Sequence, residues 1–216
     1  MFVGHFAAGI AASAYDRRLP LWAGIAASQL VDIGWAGLIM VGVEKLRIVP
    51  DLPGNPLDLY YMPYTHSLPA ALLWGLAAAL LARWLLRLPW ATAWLGGAVV
   101  VSHWFLDVLV HRPDMEIGFT GPKIGLGLWN LPLPEMALEM GLTGLAIGAL
   151  VATRKDAGQK AWPVLAFFVL LTVLQITGQI SKGAEDAVQM GSLALFGYAV
   201  AIVGAWLVDR QGRRAV

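Results

Sequence analysis

The chain reads as an all-α protein, a polytopic membrane bundle of about seven helices, on three observations. Hydrophobic residues make up 58% of its 216 positions and charged residues only 13%, where soluble domains carry about 25% charged residues. The mean hydropathy is +0.67. The apolar residues fall into runs at 2–15, 20–43, 66–83, 90–111, 135–153, 162–180 and 190–208, most of which reach or approach the ~20 residues a helix needs to cross hydrocarbon.

The first run is short enough to insert only part of the way. Its sequence, "MFVGHFAAGIAASAYDRR", has its arginines after the apolar part and no positive leader before it, so it is not read as a cleaved secretory signal. The following runs have prolines where helices should begin: Pro20, Pro69, Pro89, Pro134 and Pro163 lie in or near a first turn, where a missing N–H costs least. Connections 44–65 and 112–134 are rich in proline and glycine and hold most of the polar side chains outside the helices. No repeat, low-complexity tract or soluble domain is evident. Residues 1–216 are expected to form one integral membrane domain, with 1–153 carrying the polar motifs and 154–216 adding two transmembrane helices.

Basic residues set the expected orientation. Connections after the first, third, fifth and seventh runs hold Arg17, Arg18, Arg83, Arg87, Arg154, Lys155, Lys160, Arg210, Arg213 and Arg214; the others hold Lys45, Arg47, Arg112, Lys123 and Lys182. The positive-inside rule puts the richer set, and with it the C-terminus, in the cytoplasm, most simply of a bacterial inner membrane. Trp22, Trp84, Trp90 and Trp162 border that side as an interfacial belt would. A net charge of +1 gives no concentrated basic surface for nucleic acid. The absence of cysteine removes disulfides and thiolate ligands, so any metal must be held by histidine and carboxylate.

Polar residues inside the apolar runs share one depth. Counting from the nearest basic edge, His5, Asp32, His66, His103 and Glu139 stand 12 to 17 residues away, or ~18 to 26 Å at helical rise, in the outer half of the bilayer. His103, Asp107 and His111 recur every four residues, within an arc of about 80° on one helix face. Each ionisable group in hydrocarbon costs about 2.5 to 3.5 kcal/mol, so several at one depth should face inward around a shared partner. Taken singly, an intramembrane histidine is more often a helix-to-helix hydrogen bonder, and His66 could simply sit at a helix start capped by Thr65 or Ser67. Together, His5, Asp32, His66, His103, Asp107 and His111 point to a divalent metal, zinc first, with iron, manganese or nickel as alternatives. Gln175 and Gln179 read as packing hydrogen bonders, and Asp114 and Glu116 as solvated loop charges. The glycine-rich "GPKIGLGLWN" lacks the Gly-Lys-Ser/Thr signature of a phosphate loop and reads as a turn or lid, with Lys123 and Asn130 as anion contacts.

"GHFAAG", "QLVD", "PYTHSL", "SHWFLDVLVH" and "GLGLWN" followed nine residues later by Glu139 resemble the YdjM-type family of membrane-bound metal-dependent hydrolases over about residues 1–153. The resemblance implies His5, Asp32, His66, His103 and Asp107 as metal or catalytic positions. The histidine and aspartate four apart are also similar to the motif of zinc-dependent phospholipase C, which supports His103 and Asp107 more than His111.

The resulting expectation is a metal-dependent, most simply zinc-dependent, hydrolase acting on a phosphoester or ester of an amphiphilic, lipid-like substrate. Zinc lowers the pKa of bound water to about 7 and polarises the scissile group. Asp32, Asp107 or Glu139, whichever is free of metal, would take the water proton, and Lys123 or Asn130 would steady the developing anion. The alternative from another class is a transporter using the same cluster as an ion or substrate pathway. A haem-binding electron carrier is more distant, having little need of three carboxylates at that depth.

Overall fold

The computed structural model describes residues 1–180 and 183–213, and in them the predicted all-α bundle is present. The helices are α1 (Val3–Tyr15), α2 (Leu21–Ser28), α3 (Leu30–Met40), α4 (Leu68–Trp84), α5 (Trp90–Val110), α6 (Pro132–Asp156), α7 (Trp162–Ile180) and α8 (Ala187–Arg213). By length and composition α5, α6, α7 and α8 can each cross a membrane, and α2 with α3 makes a fifth crossing if the bent pair is one span. The chain is an integral membrane protein on that ground. Helices α1, of 13 residues, and α4, of 17, are shorter.

Local chemistry accounts for most boundaries. Ser67 caps α4, its hydroxyl accepting from Ala70 N at 3.2 Å, with Pro69 in the first turn. Helix α5 stops at Val110, shortly before Pro113, whose ring excludes a continuing helix. The run at 20–43, expected to be one helix, is two: it bends by 48° at Gln29. Ser28 bonds back to the Ile25 carbonyl at 2.8 Å, a contact that bends helices, and the Ser28 carbonyl is taken by His103 Nδ1 at 2.9 Å. A side chain has replaced part of the backbone ladder, a recognised cause of a kink.

The two long connections are also more ordered than expected. The first forms an antiparallel hairpin, β1 (Lys45–Ile48) with β2 (Leu57–Tyr61), pairing Arg47 with Asp58 and Ile48 with Leu57. The second forms β3 (Met115–Glu116) with β4 (Lys123–Ile124) and a 3₁₀ turn at Leu128–Asn130.

Packing joins helices distant in sequence. Helix α1 lies against α6 and α2, α4 against α5, and α8 against α2 and α3. Gly9 and Gly24 put α1 and α2 in backbone contact: a Cβ on Gly9 would lie 2.2 Å from the Gly24 carbonyl oxygen. One apolar cluster joins Phe6 and Ile10 to Ile25, Ile147, Phe167 and Leu171; a second lies beneath the loops and includes Trp35, Met62, Trp104, Met115 and Trp129. The clusters meet along α1 and α3, where Met1 and Trp35 belong to the second and Phe6 and Ile33 pack with the first. His5 and Asp32 sit at that junction.

Candidate metal centre

Helix α5 supplies the middle of the site. His103 and Asp107, one turn apart, project from its buried face, and His111 follows as the extended C-cap residue. Helix α1 brings His5, α3 brings Asp32, and the segment before α4 brings His66. None of the six is more than 7% exposed. Four elements thus deliver all four histidines and two carboxylates to one buried place.

Asp107 is the hub. Its Oδ2 lies 3.0 Å from His103 Nε2 and 3.5 Å from His66 Nε2; its Oδ1 lies 2.9 Å from His5 Nε2, 3.4 Å from His111 Nε2 and 2.9 Å from the Met1 α-amino nitrogen. Asp32 Oδ1 faces the same two imidazoles as Asp107 Oδ2, at 3.3 Å from His66 Nε2 and 3.4 Å from His103 Nε2. The donor atoms form two overlapping groups, His5–His103–Asp107 and Asp32–His66–His103, each within 4.8 Å across. Either group can hold a metal ion. A tetrahedral zinc centre with bonds of ~2.0 to 2.1 Å has six edges of ~3.3 to 3.4 Å, and the four histidine-to-carboxylate separations among Asp32, His66, His103 and Asp107, four of those six edges, run from 3.0 to 3.5 Å.

The surrounding hydrogen bonds fix where the protons are. The Ser28 carbonyl can only accept, so His103 Nδ1 donates to it. Thr65 Oγ1 gives its one hydrogen to Glu44 at 2.6 Å, so His66 Nδ1 donates to Thr65 at 2.8 Å. His111 Nδ1 donates to Asp114 Oδ1 at 2.9 Å. In the neutral form each of these rings then turns a bare Nε2 lone pair toward carboxylate oxygens. His103 Nε2 and Asp107 Oδ2, 3.0 Å apart, make no hydrogen bond with each other or with any other described residue. Lone pair facing lone pair is repulsive unless a metal cation, or a proton that makes His103 an imidazolium paired with Asp107, lies between them, and oxygen partners on Nδ1 are how metal-ligating histidines are ordinarily oriented.

Further contacts hold the carboxylates and rings. Tyr198 OH, from α8, donates to Asp32 Oδ2 at 3.1 Å. His5 stacks on His103 with ring centroids 3.6 Å apart, and Trp129 covers His111 at 3.9 Å. Trp104 Nε1 donates to the His66 carbonyl at 3.1 Å, and Gln29 Nε2 ties the α2–α3 break to the Phe2 carbonyl at 3.0 Å.

Other residues singled out in the sequence are engaged differently. Glu139 accepts from Phe2 N and Gly4 N at 2.8 to 3.0 Å, satisfying the free N–H groups at the start of α1. Lys123 and Asn130, expected as anion contacts, hold the loops: Lys123 donates to the Tyr60 carbonyl at 2.8 Å and pairs with Glu116 at 3.4 Å, and Asn130 accepts from Arg112 Nε at 2.9 Å. Asp114 and Glu116, expected in solvent, are buried, because one faces His111 and the other Lys123. Gln179 reaches Glu135 at 3.4 Å. The lid reading of the glycine-rich segment takes a specific form: Gly127, at φ +71°, donates to the His111 carbonyl at 2.7 Å and swings Trp129 over the ring.

Glu44, Thr65 as a relay, Asp114 and Tyr198 were missed. Tyr198 had a usable signal, standing 12 residues before Arg210 and so in the same layer. Glu44 had none, since only the folded hairpin brings it to Thr65. Burial pushes the Glu44 carboxyl above its ordinary pKa, against the hydrogen bonds from Thr65 and Tyr64 that favour its charged form. No protein-family model matches the chain, and neither a curated protein nor a solved structure is found to be similar to it.

Proposed function

We propose that the protein is a membrane-embedded, metal-dependent hydrolase, zinc being the ion its donors suit best, acting on a phosphoester or ester of an amphiphilic substrate. The observation that carries the reading is the pair of orphaned atoms, His103 Nε2 and Asp107 Oδ2, facing each other inside a set of six buried donors. Asp32, His66 and His103 would hold one ion, with Asp107 Oδ2 facing the same two imidazoles; His5, His103 and Asp107 form the overlapping alternative, where the Met1 α-amino group stands 2.9 Å from Asp107 Oδ1. A bound divalent ion supplies Lewis acidity, acidifying water and polarising a phosphoryl or acyl oxygen. Asp107, engaged on both oxygens, is committed to holding the centre. Asp32 has Oδ2 hydrogen-bonded to Tyr198, so this pair can relay a proton beside the cluster. Trp129 and the ordered loops exclude bulk water from the histidine side. The resemblance to membrane-bound hydrolases supports the same reading, as does the depth of the cluster, which suits a substrate whose reactive group lies near the outer headgroups of a bacterial inner membrane with the C-terminus in the cytoplasm.

The test is elemental analysis of detergent-purified protein together with turnover of phospholipid or polyprenyl phosphate substrates before and after chelation and metal return. Bound metal with restorable turnover is the expected result. Stoichiometric metal without turnover of any lipid ester would remove the hydrolase assignment and leave the metal site.

One observation favours a second reading, transport. The span formed by α2 and α3 is broken at Gln29, three residues before Asp32, and broken spans with charged groups at the break are how secondary transporters build substrate sites. Metal or proton flux in proteoliposomes, lost in Asp32→Asn, distinguishes it from hydrolysis.

A further inference from the structure

The connection from α5 to α6 carries apolar side chains where a loop in water would carry charge. In residues 117–134, "IGFTGPKIGLGLWNLPLP", Lys123 is the one charged residue, and it is turned to the protein, donating to the Tyr60 carbonyl at 2.8 Å and pairing with Glu116 at 3.4 Å. Outward stand Ile117, Phe119, Leu126, Leu131 and Leu133, with Leu126 73% and Leu133 84% exposed. The neighbouring β1–β2 hairpin is of the other kind: Lys45, Arg47 and Asp51 are exposed, and Arg47 pairs with Asp58 at 3.5 Å. A single exposed leucine is ordinary. Five large apolar side chains on one connection, with no exposed charge among them, mark a surface that meets something apolar.

The backbone of this connection is closed on itself and on α5. Met115 and Glu116 pair with Ile124 and Lys123; Ile117 N donates to the Pro122 carbonyl at 3.3 Å, Leu126 N to the Val108 carbonyl at 2.8 Å and Leu131 N to the Leu128 carbonyl at 2.9 Å. Irregular backbone enters lipid only when its polar groups are satisfied within the protein. The same bonds place the segment. Leu126 sits beside the last turn of α5, whose exposed residues there are Phe105 and Leu109. Leu133 opens a stripe on α6, every fourth residue, that stays exposed through Ala137, Gly141 and Leu145. Both helices can cross a membrane, so the apolar surface of the connection joins the surfaces that two spans turn to hydrocarbon.

We infer that the α5–α6 connection is immersed in the lipid leaflet at this end of the bundle, with its outward side chains at the boundary of headgroups and acyl chains and its inward face, through Trp129, against His111. The partner of this surface is the bilayer. Lipid then lies directly outside the segment that covers the histidine cluster, whatever reaction the cluster performs.

The chain has no cysteine, so single cysteines can be introduced and spin-labelled at exposed positions of the full chain, reconstituted in vesicles of phosphatidylcholine and phosphatidylglycerol. Collision with oxygen, which concentrates in hydrocarbon, should exceed collision with a water-soluble nickel chelate at Phe119→Cys, Leu126→Cys and Leu133→Cys. The ratio should stand several-fold above that at Asp51→Cys and near that at Leu145→Cys. A ratio equal to that at Asp51→Cys would put the segment in water and overturn the proposal. Low collision with both reagents would mean that protein covers this surface, a second copy of the chain if the labels also broaden one another, and would overturn it equally.

Discussion

Thr65 Oγ1 stands between Glu44 and His66, 2.6 Å from the carboxylate and 2.8 Å from the imidazole Nδ1. A hydroxyl has one proton, so the carboxylate on one side determines the tautomer on the other. Glu44 thereby keeps the His66 Nε2 lone pair available for a cation, at a distance and without touching it. Thr65→Val removes the relay while nearly conserving shape, and Glu44→Gln weakens it. Metal affinity should fall about 10- to 100-fold in Thr65→Val, the usual loss when such an outer partner is removed. Competition with a chelator of known affinity measures this. Unchanged affinity in Thr65→Val would show that His66 is oriented by something else.

Asp107 should be irreplaceable in a way that His5 and His111 are not. Both its oxygens face imidazoles, whereas His5 and His111 contact only the Oδ1 side. Asp107→Asn, assayed by elemental analysis, should purify without metal, while His5→Ala or His111→Ala, on the Oδ1 side, should keep an ion held by Asp32, His66 and His103 together with Asp107 Oδ2. Chelation of the unaltered protein should lower its unfolding temperature, since a ligand bound only to the folded state stabilises it by mass action; in Asp107→Asn the chelator should do nothing. A variant of Asp107 that still held its full metal complement would refute the hub role.

Depth and periodicity made much of this site legible beforehand. His5, Asp32, His66 and His103 could be placed in one layer by counting from basic edges, because an apolar helix in a membrane has a known rise and a known reason to end. What counting could not reach was everything that depends on chain pairing. Glu44 is brought to Thr65 by the α3–β1 turn, the Ser28 carbonyl is exposed by a kink, and Asp114 is drawn inward by His111; none has a sequence spacing that encodes it. Lys123 and Asn130 show the converse. They carry suitable chemistry in a suitable loop, but the β3–β4 hairpin and Arg112 use them to hold that loop in place.

Gly9 is the position at which the fold and the site meet most directly. A methyl group there would lie 2.2 Å from the backbone oxygen of Gly24, so α1 would have to move away from α2, and His5 lies one turn along α1. Gly9→Ala should cost about 1 to 3 kcal/mol, the range for overpacking a tight interior. Gly37→Ala, in a helix with nothing within 4 Å of the added carbon, should be neutral or stabilising by up to about 1 kcal/mol. Thermal unfolding of both variants checks the contrast, and equal effects would refute the close-packing account.

The Asp16–Arg18 pair closes the α1–α2 connection and should show its contribution through pH. Arg18 donates to Asp16 through its side chain and its backbone, at 2.9 to 3.0 Å, and Thr92 at the start of α5 donates from the other side. These contacts, the Arg18 side-chain hydrogen bond foremost, hold the Asp16 carboxyl well below its ordinary pKa. A carboxylate with a depressed folded pKa contributes its stability above the unfolded value, near 3.9, and loses it as pH falls through the folded value. Arg18 is largely exposed, so solvent screening keeps the contribution small. Asp16→Asn should therefore unfold at a slightly lower temperature than the unaltered chain, by a margin that is constant from pH 8 to pH 5 and closes only below about pH 4, as the ordinary carboxyl range is passed. A margin that varied between pH 5 and pH 8 would have to come from a group titrating near neutrality, and would remove Asp16 as its source.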